Sequence, residues 1–597
     1  METPIACTPV FECLEEGWKT LPTLTGWLKF SVNILKKSLC EKILLFIDPS
    51  ECVWVKGRDG MQPVLNIEDI RAVELRLADE GISLAELMRR AGLAAAREVL
   101  QLEEAQQVTV FAGSGNNGGD GWVAAEELTR RGISACVVSA IPPVDLKSDL
   151  ARNAALSAEA AGVEILLDPS EDELMELLDG TDIALDGIFG TGFRGAPRAP
   201  YDLWIDCLNA SGTRVVAIDV PSGLSAQTGH AEGSCVVADV TVTMLALKPG
   251  LVADQGRDVC GSIVVAPLAE QTERLVIEAE PIAWRAELED YLNVVPQPTS
   301  AIDKFTRGSV LVIGGSTRFP GAPMMAAMAA ARAGAGYVTL AVPASIAAIV
   351  QTQMLEIPVV PLPTTEEGVF APEAADYLER LVAGKDVVLI GPGMRVSSGP
   401  AELVSHLMQM DVPLVVDADG LNCLARLTEN NIESFPEILR RDAKLVLTPH
   451  RGELGRLVDM VDTPPDSLVG CIDAAQRILW ADGGSELCIV AKGSGTACVG
   501  VEAAVLPKPG PAALATAGSG DVLAGIMASL LAQTNVDDSD LPILCALACE
   551  VHGYAGSIAA ERFGSRGVMA RDVIDATGVA MDTLSEHISF PEMALEG

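Results

Sequence analysis

Twice along this 597-residue chain, a series of short β-branched strands alternates with helical segments. Each series carries a glycine-rich turn that ends or follows a strand and opens a helix. Strands separated by helices pair in parallel through crossovers, so each series must close into a parallel sheet covered on both faces. The first series runs through QQVTVFAG (106–113), ISACVVSA, DIALD (182–186), RVVAID (214–219), 240–246 and 262–266. The second begins at SVLVIGG (309–315) and continues through YVTLAV, DVVLIG, PLVVDA, AKLVLT and LCIVAKG. Between them, residues 271–300 lose the pattern, being Glu-rich and then VVPQPTS, and read as a linker. The expected architecture is α/β, with two three-layer α/β/α domains at 61–270 and 301–590. No short internal repeat is visible, which excludes a solenoid.

Composition narrows the function classes. Nearly half the residues are apolar and few are aromatic, as buried parallel strands under small-residue helices require. A formal charge of −40 repels nucleic acid and anionic lipid. Any phosphate site must therefore be built locally, from backbone amides and a few cations. The best apolar stretch, near 21–47, is broken by Lys29, Lys36, Lys37 and Lys42, so no membrane span is expected. No secretory signal is read at the start, and the cytosol is the expected compartment. Cys545 and Cys549 lie one helical turn apart without zinc-spaced partners and read as buried, reduced thiols.

The first 60 residues differ from the rest. They hold three of the seven tryptophans and six of the thirteen lysines, whereas only seven lysines but 28 arginines follow. Met61 is the expected natural start, with 1–60 an upstream extension. Residues 67–100 predict two amphipathic helices, the second N-capped by Ser83 with Glu86 completing a capping box.

In the first series, GSGNNGGDG (113–121) follows a strand and opens a helix, as a backbone phosphate cradle does. Gly113-x-Gly115-x-x-Gly118 satisfies the Rossmann-like dinucleotide fingerprint, but the next strand ends without an acid to hold a ribose, which disfavours a plain dehydrogenase. DGIFGTGFRGAP (186–197) and AIDVPSGLSAQTG (217–229) end two more strands, so all three turns should line one crevice. Here the sequence resembles the NAD(P)H-hydrate epimerase family over 61–268, with GNNGGDG the most specific motif. The resemblance implies that Asn116, Asn117, Gly118, Gly119 and Asp120, with Gly190, Thr191, Gly192, Phe193, Arg194, Gly195 and Ala196, bind the hydrated dinucleotide. It also implies that Asn117, Asp186 and Ser222 hold K⁺ and that Asp219 is the acid/base group. Ser225 stands where the family usually has aspartate. A cationic partner for Asp219 is expected. Lys147, a scarce lysine in an arginine-rich chain, is the candidate, because lysine can shed a proton when desolvated.

In the second series, ATAGSGDVLAGI (515–526) opens a helix with Asp521 in its first turn. Gly518 and Gly520 amides can form an anion hole, and Asp521 can take a proton from an attacking hydroxyl; a cap by Ser519 or Asp521 is the structural alternative. The segment resembles ribokinase-like kinases. Together with VLVIGGSTRFPGAP, LIGPGM, VVDADGLN, LTPHRGEL and VAKGSGT, it resembles the ADP- or ATP-dependent NAD(P)H-hydrate dehydratases over 301–580. That resemblance implies substrate contacts from Ala322, Gly393, His450 and Asp521. It implies nucleotide contacts from Lys492, Gly493, Ser494, Gly495, Thr496 and Gly520. Ser519 replaces the family's usual threonine and keeps the hydroxyl. Asp417 and Asp419 either organise Mg²⁺ through water or serve turn geometry.

The implied function is repair of hydrated NADH and NADPH. An epimerase interconverts the R and S hydrates, and a dehydratase restores the S form using ADP, releasing AMP and phosphate, or ATP. Small-molecule substrates and a homo-oligomer are expected, with neither nucleic acid nor membrane as partner. The competing reading is a ribokinase-type small-molecule kinase fused to a non-catalytic binding module.

Overall fold

The computed structural model describes residues 60–102, 105–296, 304, 307–428, 438–458, 465–482 and 486–589. The extension read over 1–60 lies outside the described residues save for Gly60. The front sheet has seven strands, all parallel. Their order is Glu164–Leu167, Ser134–Ser139, Gln107–Ala112, Ile183–Gly187, Arg214–Ile218, Val240–Met244 and Ser262–Ala266. The back sheet has eleven. Seven of these form an unbroken parallel run, in the order Val359–Leu362, Tyr337–Pro343, Ser309–Ile313, Val387–Ile390, Leu414–Val416, Leu445–Leu447 and Leu487–Ala491. Central strands such as Ile183–Gly187, Ser309–Ile313 and Leu487–Ala491 are buried at every position, because helices cover both faces.

Numbered along the chain, the parallel strands of both sheets run 3-2-1-4-5-6-7. The chain winds away from its first strand in both directions, and a crevice opens where the winding reverses, at the carboxyl ends of strands 1 and 4. In front, that point lies between Gln107–Ala112 and Ile183–Gly187. Behind, it lies between Ser309–Ile313 and Val387–Ile390.

The stretch read as a linker is built into the fold. It carries the helix Thr272–Glu278 and the strand Ala283–Arg285, which pairs antiparallel with Gln62–Val64 and parallel with Ala504–Leu506. Gln62–Val64 thus belongs to the back sheet, although backbone bonds also tie this segment to the front domain: the Leu65 N–H donates to Leu247 O at 3.0 Å and the Leu247 N–H to Pro63 O at 3.1 Å. Three-residue strands are too short to show a period in the sequence, which is why 271–300 looks structureless there.

Two smaller expectations are also corrected. Ser83 does cap its helix, its Oγ accepting from the Glu86 N–H at 3.2 Å. Glu86, however, turns its carboxylate to Arg89 and Arg90 instead of closing the box. The helix Leu541–Phe563, with the turn before it, is long and apolar enough to cross a membrane by length and composition, which the sequence reading passed over. It is a core helix, buried along most of that length. The candidate near 21–47 lies outside the described residues. Cys545 and Cys549 are buried free thiols, as read.

Candidate active sites

The front crevice is assembled by glycines that permit close backbone approach. A Cβ on Gly118 would fall 1.9 Å from the Gly113 carbonyl oxygen, and one on Gly113 would fall 1.9 Å from that of Ile188. The glycine loop therefore presses directly onto the end of the neighbouring strand, and the helix Asn116–Arg130 starts with no side-chain cap over its amides. A Cβ on Gly190 would meet Asn117 Oδ1 at 3.0 Å and Asp219 Oδ2 at 3.1 Å. Three separate turns thus converge on one point.

Asp219 sits there with φ +69°, a left-handed conformation rare for a residue with a side chain. Its Oδ2 accepts from the Thr191 N–H at 3.2 Å, and its Oδ1 accepts from Lys248 Nζ at 2.7 Å. Lys248 is fully buried and spends its other two protons on Thr243 Oγ1 and the Met244 carbonyl, each at 2.7 Å. Two more acids gather round. Burial, then Asp219 and Glu74, holds the Asp120 carboxyl well above the usual range. Burial, then Asp219, raises Glu74. Asp186 is buried behind them, accepting from Ser222 Oγ at 2.5 Å, the Ser222 N–H at 2.7 Å and the Ile188 N–H at 3.2 Å. Burial pushes its pKa up to about 6 despite those bonds.

In the back crevice, Gly393 has φ +67°, and a Cβ there would come within 3.1 Å of that of Ala322. Asp417, almost fully buried, accepts from Lys492 Nζ and Thr448 Oγ1, both at 2.7 Å. Burial works against the charge on Lys492, but Asp417, with Glu453 and Asp521, holds its ammonium above the ordinary range. Lys492 Nζ also lies 3.5 Å from where a Cβ on Gly520 would be. The helix Ser519–Gln533 opens after Gly518, at φ +88°, with no side-chain cap. Ser519 Oγ instead meets His552 Nε2 at 3.1 Å. The capping alternative for Ser519 and Asp521 therefore falls away. Burial, then Asp417, pushes Asp521 up to about 7, with Lys492 opposing.

The family model for NAD(P)H-hydrate dehydratase matches residues 310–578, and that for the YjeF-related protein N-terminus matches residues 84–250. A bifunctional NAD(P)H-hydrate repair enzyme from Moorella thermoacetica is 34% identical over 521 residues, spanning 84% of this chain and 93% of its own. The chain belongs to the bifunctional NAD(P)H-hydrate repair enzymes. Similar members come from Coxiella burnetii, at 35% identity over 84% of this chain and 96% of that protein, and from Escherichia coli, at 34% over 85% and 91%.

Within this repair-enzyme fold most of the sequence-derived positions meet in the two crevices, but not all. Lys147 is exposed and does not pair with Asp219; that partner is Lys248. The segment around Lys147 does reach the glycine loop, since Ser148 Oγ donates to Asn116 Oδ1 at 2.7 Å. Gly192 and Ala196 lie at the rim, where Arg194 folds back onto the carbonyls of Thr191 and Phe193. Ser225, the departure from the usual aspartate, steadies its own turn by accepting from the Thr228 N–H at 3.3 Å. His450 is exposed, and its Nδ1 accepts from the N–H groups of Gly452 and Glu453 at 3.0 and 3.2 Å, so in this geometry it caps a helix. Asp417 and Asp419 are both engaged, the latter by the Arg395 N–H at 2.9 Å. Among the described residues no three His, Cys, Asp or Glu side chains converge as a metal cluster.

Proposed function

We propose that the front domain interconverts the R and S hydrates of NADH and NADPH, and that the back domain dehydrates the S form at the expense of ADP or ATP. One observation carries this reading. Each doubly wound sheet brings a glycine turn, an acid and a lysine to the same carboxyl-edge crevice: Gly190, Asp219 and the fully buried Lys248 in front, Gly520, Asp521 and the half-buried Lys492 behind.

In front, Asp219 assists the C6 hydroxyl of the hydrated nicotinamide to leave and return on either face. Lys248 fixes Oδ1, so that Oδ2 faces the loops at 116–120 and 190–196 that bind the dinucleotide. Behind, Asp521 takes the proton of the C6 hydroxyl. The freed oxygen bonds the terminal phosphorus of the nucleotide as the bond to AMP, or to ADP when ATP is used, breaks. Amides at the helix start stabilise the charge on the transferred group. The C6–O bond then breaks, phosphate leaves, and C5 gives up a proton to form the C5=C6 double bond. Phosphorylation is needed because hydroxide is a poor leaving group.

Potassium suits the front site. Asp186 is a buried carboxylate bonded to neutral donors, Ser222 adds a hydroxyl, and the Asn117 Nδ2 has no partner, leaving that amide able to turn its oxygen to a cation. Bound there, K⁺ would neutralise Asp186. The folded pKa near 6 lies above the ordinary aspartate value of 3.8, so the fold holds this proton more tightly than the unfolded chain. Without K⁺, stability therefore falls as pH rises from about 4 to about 6. K⁺ competes with the proton, so replacing choline by K⁺ should raise the melting temperature most above about pH 6 and least below about pH 5. A K⁺ effect independent of pH would remove Asp186 from the site. Magnesium has no such cradle: Asp417 and Asp419 are occupied, and Mg²⁺ fits better as a companion of the nucleotide phosphates. The ten free cysteines among the described residues suit a reducing compartment such as the cytosol.

The direct test supplies both hydrate epimers with Mg²⁺, K⁺ and either ADP or ATP, and follows the reduced-nicotinamide absorbance. Full recovery with phosphate release is expected. Recovery of one epimer alone would leave the front domain without its activity, and a stable phosphorylated product would favour the kinase reading.

A further inference from the structure

The back domain's 493–496 loop is not held by the back domain alone. Asp254 and Arg257 come from the front domain, six and nine residues beyond Lys248, and their side chains reach across to this loop. Ser494 Oγ donates to Asp254 Oδ1 at 2.6 Å. Arg451, beside His450, donates to both Asp254 oxygens at 2.9 and 3.0 Å. Arg257 Nη1 donates to the Ser494 carbonyl at 2.5 Å and its Nη2 to that of Gly510. A Cβ on Gly495 would come within 2.5 Å of the Ala253 Cβ, so the glycine is required by the neighbouring domain. Asp254 itself holds φ +51°, a strained conformation that persists only when its surroundings fix it.

Within the loop, the closure shown is between Thr496 and Gly493. A segment with two glycines and so little internal bonding loses much conformational freedom on binding a ligand, and bracing it beforehand removes part of that cost. The brace stands at the wall of a cavity of about 1280 Å³ that Asp254 and Arg257 line together with Lys492, Thr496 and Gly520.

We propose that Asp254 and Arg257 are positioning residues of the dehydratase nucleotide site, supplied by the epimerase domain, which hold the 493–496 loop in its binding conformation. The inference rests on that loop being the nucleotide-binding one.

The test uses the full-length protein with Asp254→Asn, Arg257→Ala and Arg257→Lys, beside Thr496→Ala, which loosens the loop from within the back domain. KM for ADP or ATP, kcat for dehydration, nucleotide-free epimerisation and melting temperature are measured for each. The expected result is a rise of about tenfold in nucleotide KM for Arg257→Ala, smaller for Arg257→Lys and Asp254→Asn, with kcat within about twofold. Epimerisation stays at the wild-type rate. If Thr496→Ala raises KM while the front-domain variants leave it unchanged, the brace is overturned and the loop assignment stands. If no variant moves KM, the loop assignment fails and the inference with it. If the front-domain variants lower the melting temperature with KM unchanged, or fail to fold in all three forms, the two residues only join the domains and the proposal is wrong.

Discussion

Replacing Asp521 with asparagine lowers the dehydration rate by a factor of about 10² to 10⁴, the range expected when a positioned general base is removed, and leaves epimerisation unchanged. The substitution keeps size and polarity, so the loss reports the proton and not the packing. The wild-type protein adds a second readout. Burial and Asp417 raise Asp521 to about 7, so only part of the population is ionised at neutral pH. A base acts when deprotonated; kcat/KM for the S hydrate should therefore climb with pH up to about 7 and then level. In the asparagine variant that limb disappears. A variant that retained both the rate and the rising limb would move the base elsewhere, with Asp417 the nearest acid on the same lysine. Pure S hydrate and saturating nucleotide isolate this step from epimerisation and from the loop discussed above.

Long elements and glycine turns were readable from the sequence because their signals are local. A six-residue β-branched strand followed by GSGNNGGDG announces its own turn, and the reversal of winding then dictates that Asn117, Asp186 and Asp219 share a crevice. Behind, Gly393, Lys492 and Asp521 followed from the family resemblance and not from the winding. Elements defined only by their partners were missed. Ala283–Arg285 and Gln62–Val64 are three residues each and become strands because they find one another across some 220 positions of chain. The interdomain brace was invisible for a similar reason: nothing near Asp254 in the sequence names Ser494 or Arg451 as its neighbours.

The misassigned lysine is more instructive. Scarcity of lysine in an arginine-rich chain singled out Lys147, and that argument applied equally to Lys248. It lies just past the strand Val240–Met244, at a carboxyl edge, which is where the winding places chemistry. Lys147 lies in a polar turn with Asp145, Ser148 and Asp149, where a solvated lysine is ordinary. Adding strand-end position to residue scarcity would have selected Lys248. Glu74 gave no such sign, because a lone acid on an amphipathic helix is unremarkable until the fold turns it toward Asp219.

Lys248→Met should therefore cost far more than Lys147→Met. Lys248 is fully buried and satisfies three acceptors at 2.7 Å; removing it leaves Asp219, 9% exposed, without its cation. Breaking a buried pair from one side costs about 3–5 kcal/mol, because the remaining charge is uncompensated. Lys147→Met, at an exposed site, should stay within about 0.5 kcal/mol of wild type. Epimerisation should fall at least about a hundredfold in Lys248→Met, measured below the variant's melting temperature, since Asp219 loses the contact that orients it. Equal losses for the two lysine variants would return Lys147 to the chemistry. Stability and catalysis are separated by adding Asp219→Asn. With the charge gone from both sides, most of the lost stability should return, because neither partner is left buried and ionised. The epimerase rate should not return, because the proton-transferring group is then absent altogether. A double variant that regained rate along with stability would show that Asp219 and Lys248 serve only the fold, and that the acid of the front crevice is Asp120 or Glu74.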